Sequence, residues 1–113
     1  MSCIFCEIVA KRAPAQIVYQ NESVTAFHDV HPRAPTHILI VPNEHIASLD
    51  DLEGDAHLAS VSECLRVAKE IAARAGLRGG YRVLTNVGAD AGQSVFHLHF
   101  HLMGGRKMQW PPG

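Results

Sequence analysis

The chain has 113 residues, 47% of them hydrophobic and 19% charged, which suits one folded domain with a modest core and excludes a disordered chain. Its formal net charge of −1 leaves no basic footprint for nucleic acid, so a nucleotide ligand would have to sit in a pocket. No apolar run approaches the ~20 residues that cross a bilayer, so no membrane partner is expected. Ile4 to Ala10 reads as a short helix or turn, ended by Lys11-Arg12 and Pro14. Ile17-Val18-Tyr19-Gln20 and Val24-Thr25-Ala26-Phe27-His28 are rich in β-branched and aromatic residues, and Asn21-Glu22-Ser23 supplies a turn between them. His31-Pro32-Arg33-Ala34-Pro35 is a loop, because two prolines interrupt it. Thr36 to Val41 is a nearly continuous apolar run before Pro42 and reads as a central strand with His37 at its start.

From about Asp55 to Ala75 the period changes: Leu58, Val61, Leu65, Ala68 and Ala72 recur at steps of three and four, and Gly76 supplies a left-handed stop. Tyr81 to Asn86 is a further strand, Gly88 to Gly92 a glycine-containing loop, and Val95 to Met103 a last strand, with Asn86 near its start. The tail from Gly104 to Gly113 has no periodicity. Strands dominate, with one long helix among them. The expected architecture is an α+β domain over 1–113, a mostly antiparallel sheet with one long helix and a short N-terminal helix. The opening Met1-Ser2-Cys3-Ile4-Phe5-Cys6-Glu7 lacks the basic-then-apolar order of a signal peptide. A cytoplasmic protein is therefore expected, in which the three cysteines stay reduced and Cys3 and Cys6 are available for metal or redox work.

The segment that carries the chemistry is His97-Leu98-His99-Phe100-His101. On a strand every second side chain shares a face, so the three imidazoles would stand in one row about 7 Å apart, with Phe96, Leu98, Phe100 and Leu102 turned to a core. Such a row is costly to bury. It can be a solvated polar face, a pair of metal ligands from His97 and His99, a covalent nucleophile with tuning neighbours, or a pH-sensing interface. Just upstream, Gly88-Ala89-Asp90-Ala91-Gly92-Gln93-Ser94 offers backbone N–H groups and a hydroxyl to an anion, and Asn86 adds an amide. A nucleophile joined to an anion-binding loop points to attack on phosphorus.

Asn86, Gly88, Gly92-Gln93-Ser94-Val95 and His97-Leu98-His99-Phe100-His101-Leu102-Met103 together resemble the histidine triad (HIT) family, whose signature is His-x-His-x-His flanked by hydrophobic residues. The resemblance extends from Ile4-Phe5 through Phe27-His28-Asp29, Ala34-Pro35-Thr36-His37 and Val41-Pro42 to Gly104-Gly105-Arg106, and the Trp110-Pro111-Pro112-Gly113 ending is similar to the nucleotide-binding branch of the family. The resemblance implies a purine nucleoside phosphoramidase. His99 matches the histidine that attacks the α-phosphorus, His97 and His101 those that position it and move protons, and His37 a fourth member of the network. It implies that Asp29 holds the ribose, that Ile4, Phe5, Ile8, Phe27 and Val30 enclose the purine, and that Asn86, Gly92, Gln93 and Ser94 meet the phosphate and leaving group. Without it, Asp29 reads as a turn carboxylate and Ile4, Phe5 and Ile8 as ordinary core.

Cys3-x-x-Cys6 can clamp a metal if two further ligands approach. The resemblance supplies them: in relatives that carry the pair, the partners match His45 and His97, which implies a structural zinc at Cys3, Cys6, His45 and His97, with no metal needed for catalysis. The sequence thus combines the cysteine pair with the Trp-Pro-Pro-Gly ending of another branch. Cys64 reads as a small core residue. The family also implies a homodimer, with Trp110 reaching toward the partner's site; the alternative for Trp110 is a loosely tethered terminal aromatic. The rival functions are a dinucleoside polyphosphate hydrolase, a metallohydrolase built on the histidine row, and a nucleotide-binding scaffold with vestigial catalysis.

Overall fold

A computed structural model describes residues 3–113; Met1 and Ser2, the start of the expected 1–113 domain and of the N-terminal reading, lie outside the described residues. Five strands form one antiparallel sheet in the order β1-β2-β3-β5-β4: β1 Ile17–Gln20, β2 Val24–His28, β3 Thr36–Pro42, β4 Tyr81–Leu84 and β5 Phe100–Gly104. A short helix α1, Ile4–Val9, precedes them, and a long helix α2, Gly54–Arg74, lies between β3 and β4 in the chain. The expected α+β architecture is therefore the observed one. No helix among the described residues is long and apolar enough to cross a membrane.

Alternation along the strands divides the interior into two layers. Val24 and Ala26 of β2, Ile38 and Ile40 of β3, and Phe100 and Leu102 of β5 face α2, where they meet Cys64, Val67, Ala68, Ile71 and Ala72. Phe27, Leu39 and Val41 point the other way and pack on Phe5 and Ile8 of α1. His37 and His101 occupy alternate positions on this second face, beside Leu39. Thus the sheet turns two of the imidazoles toward α1 by register alone.

The expected helical stripe needs one correction. Leu58 and Leu65 are 54% and 46% exposed, and the buried side of α2 runs through Cys64, Val67/Ala68 and Ile71/Ala72, a slightly rotated line with the same period. Gly76 ends the helix as expected, with φ of 71°. Leu77 N–H bonds the Ala72 carbonyl at 3.1 Å and Gly76 N–H the Ala73 carbonyl at 3.2 Å, the paired bonds of a Schellman stop. Leu77 then packs into the core over Gly104, where a Cβ would lie 2.7 Å from a Leu77 methyl.

The last strand is shorter than the alternation predicts. It begins at Phe100, not Val95, and β4 ends at Leu84, not Asn86. The ladders set both limits: the outermost pairs there are Ile40 with Phe100 and Leu84 with His101. Upstream, Leu98 N–H is captured by the Ile46 carbonyl at 2.6 Å and the His99 carbonyl by Thr85 Oγ1 at 2.8 Å. Residues 95–99 therefore approach the sheet as irregular backbone held by loops. Phe96, expected in the core, is 52% exposed, whereas Leu98 is buried.

Candidate active site and metal cluster

The irregular approach splits the three histidines between two sites. His99 and His101 open onto a cavity of about 460 Å³ whose apolar walls include Phe5, Ile8, Phe27 and Leu39, and whose rim carries Asp29, Val30 and Ser94. His97 is fully buried and turns instead toward Cys3, Cys6 and His45. The single row expected for one strand face is thus not formed, because His97 and His99 precede the strand.

Hydrogen bonds fix which nitrogen of each ring carries the proton. The His97 carbonyl accepts from His99 Nδ1 at 2.7 Å, so Nδ1 holds the proton and Nε2 keeps its lone pair. No buried side-chain nitrogen or oxygen among the described residues lacks a partner, and His99 Nε2 has no protein partner; it therefore opens onto the cavity. Phe5 packs edge-on against the His99 ring with centroids 5.1 Å apart and holds its plane. A second chain of bonds begins at the Arg33 N–H, which donates to His37 Nδ1 at 3.0 Å. His37 Nε2 must then carry the proton and donate to His101 Nδ1, 2.9 Å away. This leaves His101 with N–H at Nε2, a donor on the ring next to His99, with the two rings 5.1 Å apart.

Burial disfavours charge on these rings. His101 is pushed down to about 4, first by desolvation and then by the neighbouring His99 and His37, and His37 is lowered mainly by burial, opposed by Asp29, whose Oδ2 lies 3.4 Å away. The fold thus holds His101 neutral while the unfolded chain protonates it near pH 6.5. Its contribution to stability is complete above about pH 6.5 and is lost as pH falls toward 4, because the unfolded state binds the proton first. After allowance for solvent screening this amounts to about 1–3 kcal/mol. Urea midpoints are expected to fall from pH 7.5 to pH 5, and less steeply in His101→Asn; equal slopes in the two proteins would contradict it.

The other expected site residues fall as follows. Ile4 and Val30 line the cavity mouth, half or more exposed. Asp29 lines it too, with Oδ1 accepting from His31 N–H at 2.8 Å. Gln93 faces inward: its amide donates to the Ala47 and Val95 carbonyls and accepts from Gly88 N–H, so it braces the glycine loop. Gly92 caps the turn Ala89–Ala91 with φ of 87°, and neither it nor Asn86 lines the cavity. Trp110 is 83% exposed and also stands outside it. Sequence reasoning missed His28 and His31 at the rim and Leu39 in the wall; strand alternation from His37 would have found Leu39.

Four ligand atoms, Cys3 Sγ, Cys6 Sγ, His45 Nδ1 and His97 Nδ1, lie within 4.8 Å of one another. The nitrogen–sulfur separations are 3.4 Å for Cys3–His97, 3.4 Å for Cys6–His45 and 3.6 Å for Cys6–His97. A tetrahedral zinc with Zn–S near 2.3 Å and Zn–N near 2.05 Å requires edges of about 3.5 Å. The orientation fits as well: the Pro42 carbonyl accepts from His97 Nε2 at 2.8 Å, which leaves Nδ1 as the ligand atom. Asp29, His37 and His101 also cluster, but their facing nitrogens at 2.9 Å are closer than the ~3.3 Å edge of a metal site and form a hydrogen bond.

The HIT domain model matches residues 10–108. The chain belongs to the HIT family. An uncharacterized HIT-like protein of Synechococcus elongatus is 49% identical over 111 residues, 97% of this chain and 96% of that protein. A 14 kDa zinc-binding protein of Zea mays is 46% identical, covering 97% of this chain and 87% of its own. Among solved structures, a HIT family hydrolase from Legionella pneumophila superposes with a TM-score of 0.95 at 43% identity, over 99% of this chain and all of that one. A histidine triad protein from Clostridium difficile gives 0.91 at 43% identity, over 96% and 95%. This HIT chain thus joins hydrolase-like relatives and carries a cluster able to hold metal.

Proposed function

We propose that the protein hydrolyses the P–N bond of purine nucleoside 5′-phosphoramidates, releasing the nucleoside monophosphate through a nucleotidylated His99. The observation that supports this most is the His99 ring itself: Nδ1–H is tied to the His97 carbonyl at 2.7 Å and the free Nε2 opens onto a cavity with an apolar inner wall. The purine lies against Phe5, Ile8 and Phe27, and Asp29 meets the ribose hydroxyls. Nε2 attacks the α-phosphorus; the N–P bond forms as the P–N bond to the amine breaks, and the amine leaves with a proton taken from solvent, which the hydrolytic water gives back in the second step. His101 Nε2–H donates to a non-bridging oxygen and Ser94 lines the departure side, so charge is stabilised where it develops. Water then attacks the same phosphorus, the His99–phosphorus bond breaks, and neutral imidazole returns.

Cys3, Cys6, His45 and His97 would hold a zinc ion, which would serve as a cross-link between α1, the loop after β3 and the approach to β5. It supplies no chemistry to the reacting phosphorus. Its reduced thiolates suit a cytoplasmic setting. Hydrolysis of adenosine 5′-phosphoramidate to AMP, resistant to chelator, tests the reading. AMP binding without turnover would favour a binding module, and turnover abolished by chelator in a folded protein a metallohydrolase.

A homodimer accompanies this reading. Leu58 and Leu65, two turns apart on α2, and Tyr81 on the edge strand β4 are all more than 40% exposed, an apolar surface on the two elements through which a second copy can pair. Light scattering at micromolar concentration is expected to give twice the 12.3 kDa chain mass; a monomer contradicts it.

A further inference from the structure

The loop from His31 to Pro35 lies between β2 and β3, and it donates the Arg33 N–H directly to His37 Nδ1. What holds that N–H in place comes from the far end of the sequence. Arg106 donates to the Arg33 carbonyl from Nε at 3.1 Å and from Nη2 at 2.9 Å, while its Nη1 donates to the Lys107 carbonyl at 3.1 Å. The guanidinium therefore grips one carbonyl with two of its fixed donors and its own turn with a third, a geometry that lysine cannot reproduce. The neighbouring Gly105 adds shape: at φ of 93° it lies so close to Pro35 that a Cβ there would stand 2.9 Å from the proline Cβ. The turn after β5 and the loop before β3 are thus held together at Arg33 and at Pro35.

We propose that Arg106 is a positioning residue for the hydrolysis proposed above, on which this inference rests: by fixing residue 33 it sets the tautomer of His37 and, through it, that of His101. The dependence runs along one chain of donors. If the Arg33 N–H withdraws, His37 Nδ1 loses the bond that keeps it deprotonated, and the ring can carry its proton there. His37 Nε2 would then accept rather than donate, His101 would have to place its proton on Nδ1, and His101 Nε2 would present a lone pair, not a donor, toward the phosphoryl oxygens. A reversed His101 opposes charge developing in the transition state but leaves the purine and ribose contacts intact. Arg106 is exposed and touches neither the cavity nor the reacting atoms, so its effect must travel through the loop.

The test uses Arg106→Met and Arg106→Lys in the full chain with imidazole ¹⁵N spectra, AMP binding and steady-state kinetics on adenosine 5′-phosphoramidate. In the wild type, His37 and His101 should both show protonated Nε2 and unprotonated Nδ1. In Arg106→Met the Nδ1-protonated forms should appear and kcat should fall about tenfold or more, the scale for losing a partner that orients a ligand or catalytic ring. AMP affinity should change by less than about twofold. Arg106→Lys should fall between the two proteins, keeping one bond of the pair. Unchanged tautomers in Arg106→Met, or an unchanged kcat, would overturn the proposal. A wild type with these tautomers but no phosphoramidate turnover would instead overturn the functional reading, since the spectra do not depend on substrate.

Discussion

Replacing His99 with alanine is expected to lower phosphoramidate turnover by about four orders of magnitude or more, while AMP still binds within a few-fold of wild type. The size follows from the proposed role of His99 Nε2 as the nitrogen that forms the covalent bond, since losing a nucleophile typically removes almost all catalysis beyond that of binding and oxyanion donors. Binding should survive because the proposed purine walls, Phe5, Ile8 and Phe27, pack in the core on the α1 face. His101→Asn keeps a donor near the phosphoryl oxygens but not on a ring, and should cost about 10²–10³ in turnover, the range for one electrostatic donor. Comparable, small losses in both variants would mean that the histidines serve binding alone. Activity and AMP titration, measured together, separate these outcomes.

The second large effect concerns the metal cluster. Cys3 caps the N-terminus of α1 and Cys6 lies within it, and the helix has only six residues, too short to persist without tertiary support. Its anchors are Phe5 and Ile8 in the core and the two thiolates beside His45 and His97. Zinc at about a hundredfold above its dissociation constant would stabilise the fold by about 2.7 kcal/mol, which for a domain of this size is about 10 °C in melting temperature. Chelation, or Cys3→Ser, should lower the midpoint by that amount and release close to one zinc per chain. Activity well below the lowered midpoint should persist, with KM raised more than kcat is lowered, because α1 forms a wall of the cavity. Protein that contains no zinc after metal-replete preparation, or a midpoint indifferent to chelator, would contradict this.

Much of the fold was legible because it follows from periodicities of two and 3.6. The strands from Ile17, Val24, Thr36 and Tyr81 and the stop at Gly76 stand where their side-chain patterns put them. The histidine segment misleads for a physical reason. Alternation describes a strand, but a strand also needs neighbours, and the ladders that flank Phe100–Gly104 run out at Ile40 and Leu84. His97 was free to turn to a different site from His99, which the alternation does not show and only the resemblance, through the cysteine pair, implied. Leu58 and Leu65 misled for another reason: apolar residues at helical spacing satisfy either a core or an interface, and sequence does not tell the two apart. The bracing of the glycine loop by Gln93 and the grip of Arg106 on the Arg33 carbonyl both end on backbone carbonyls, which every residue carries. Contacts of this kind leave no mark in side-chain pattern.

The central claim is a covalent bond between His99 and phosphorus. The most direct measurement is mass spectrometry of enzyme mixed for milliseconds with adenosine 5′-phosphoramidate and quenched with denaturant at alkaline pH, which preserves phosphohistidine-type bonds. The account predicts a transient adduct of one adenylyl unit on the peptide containing His99, absent in His99→Ala and formed no more slowly than AMP appears. AMP released in the first turnover with no adduct, or an adduct that persists in His99→Ala, would contradict it.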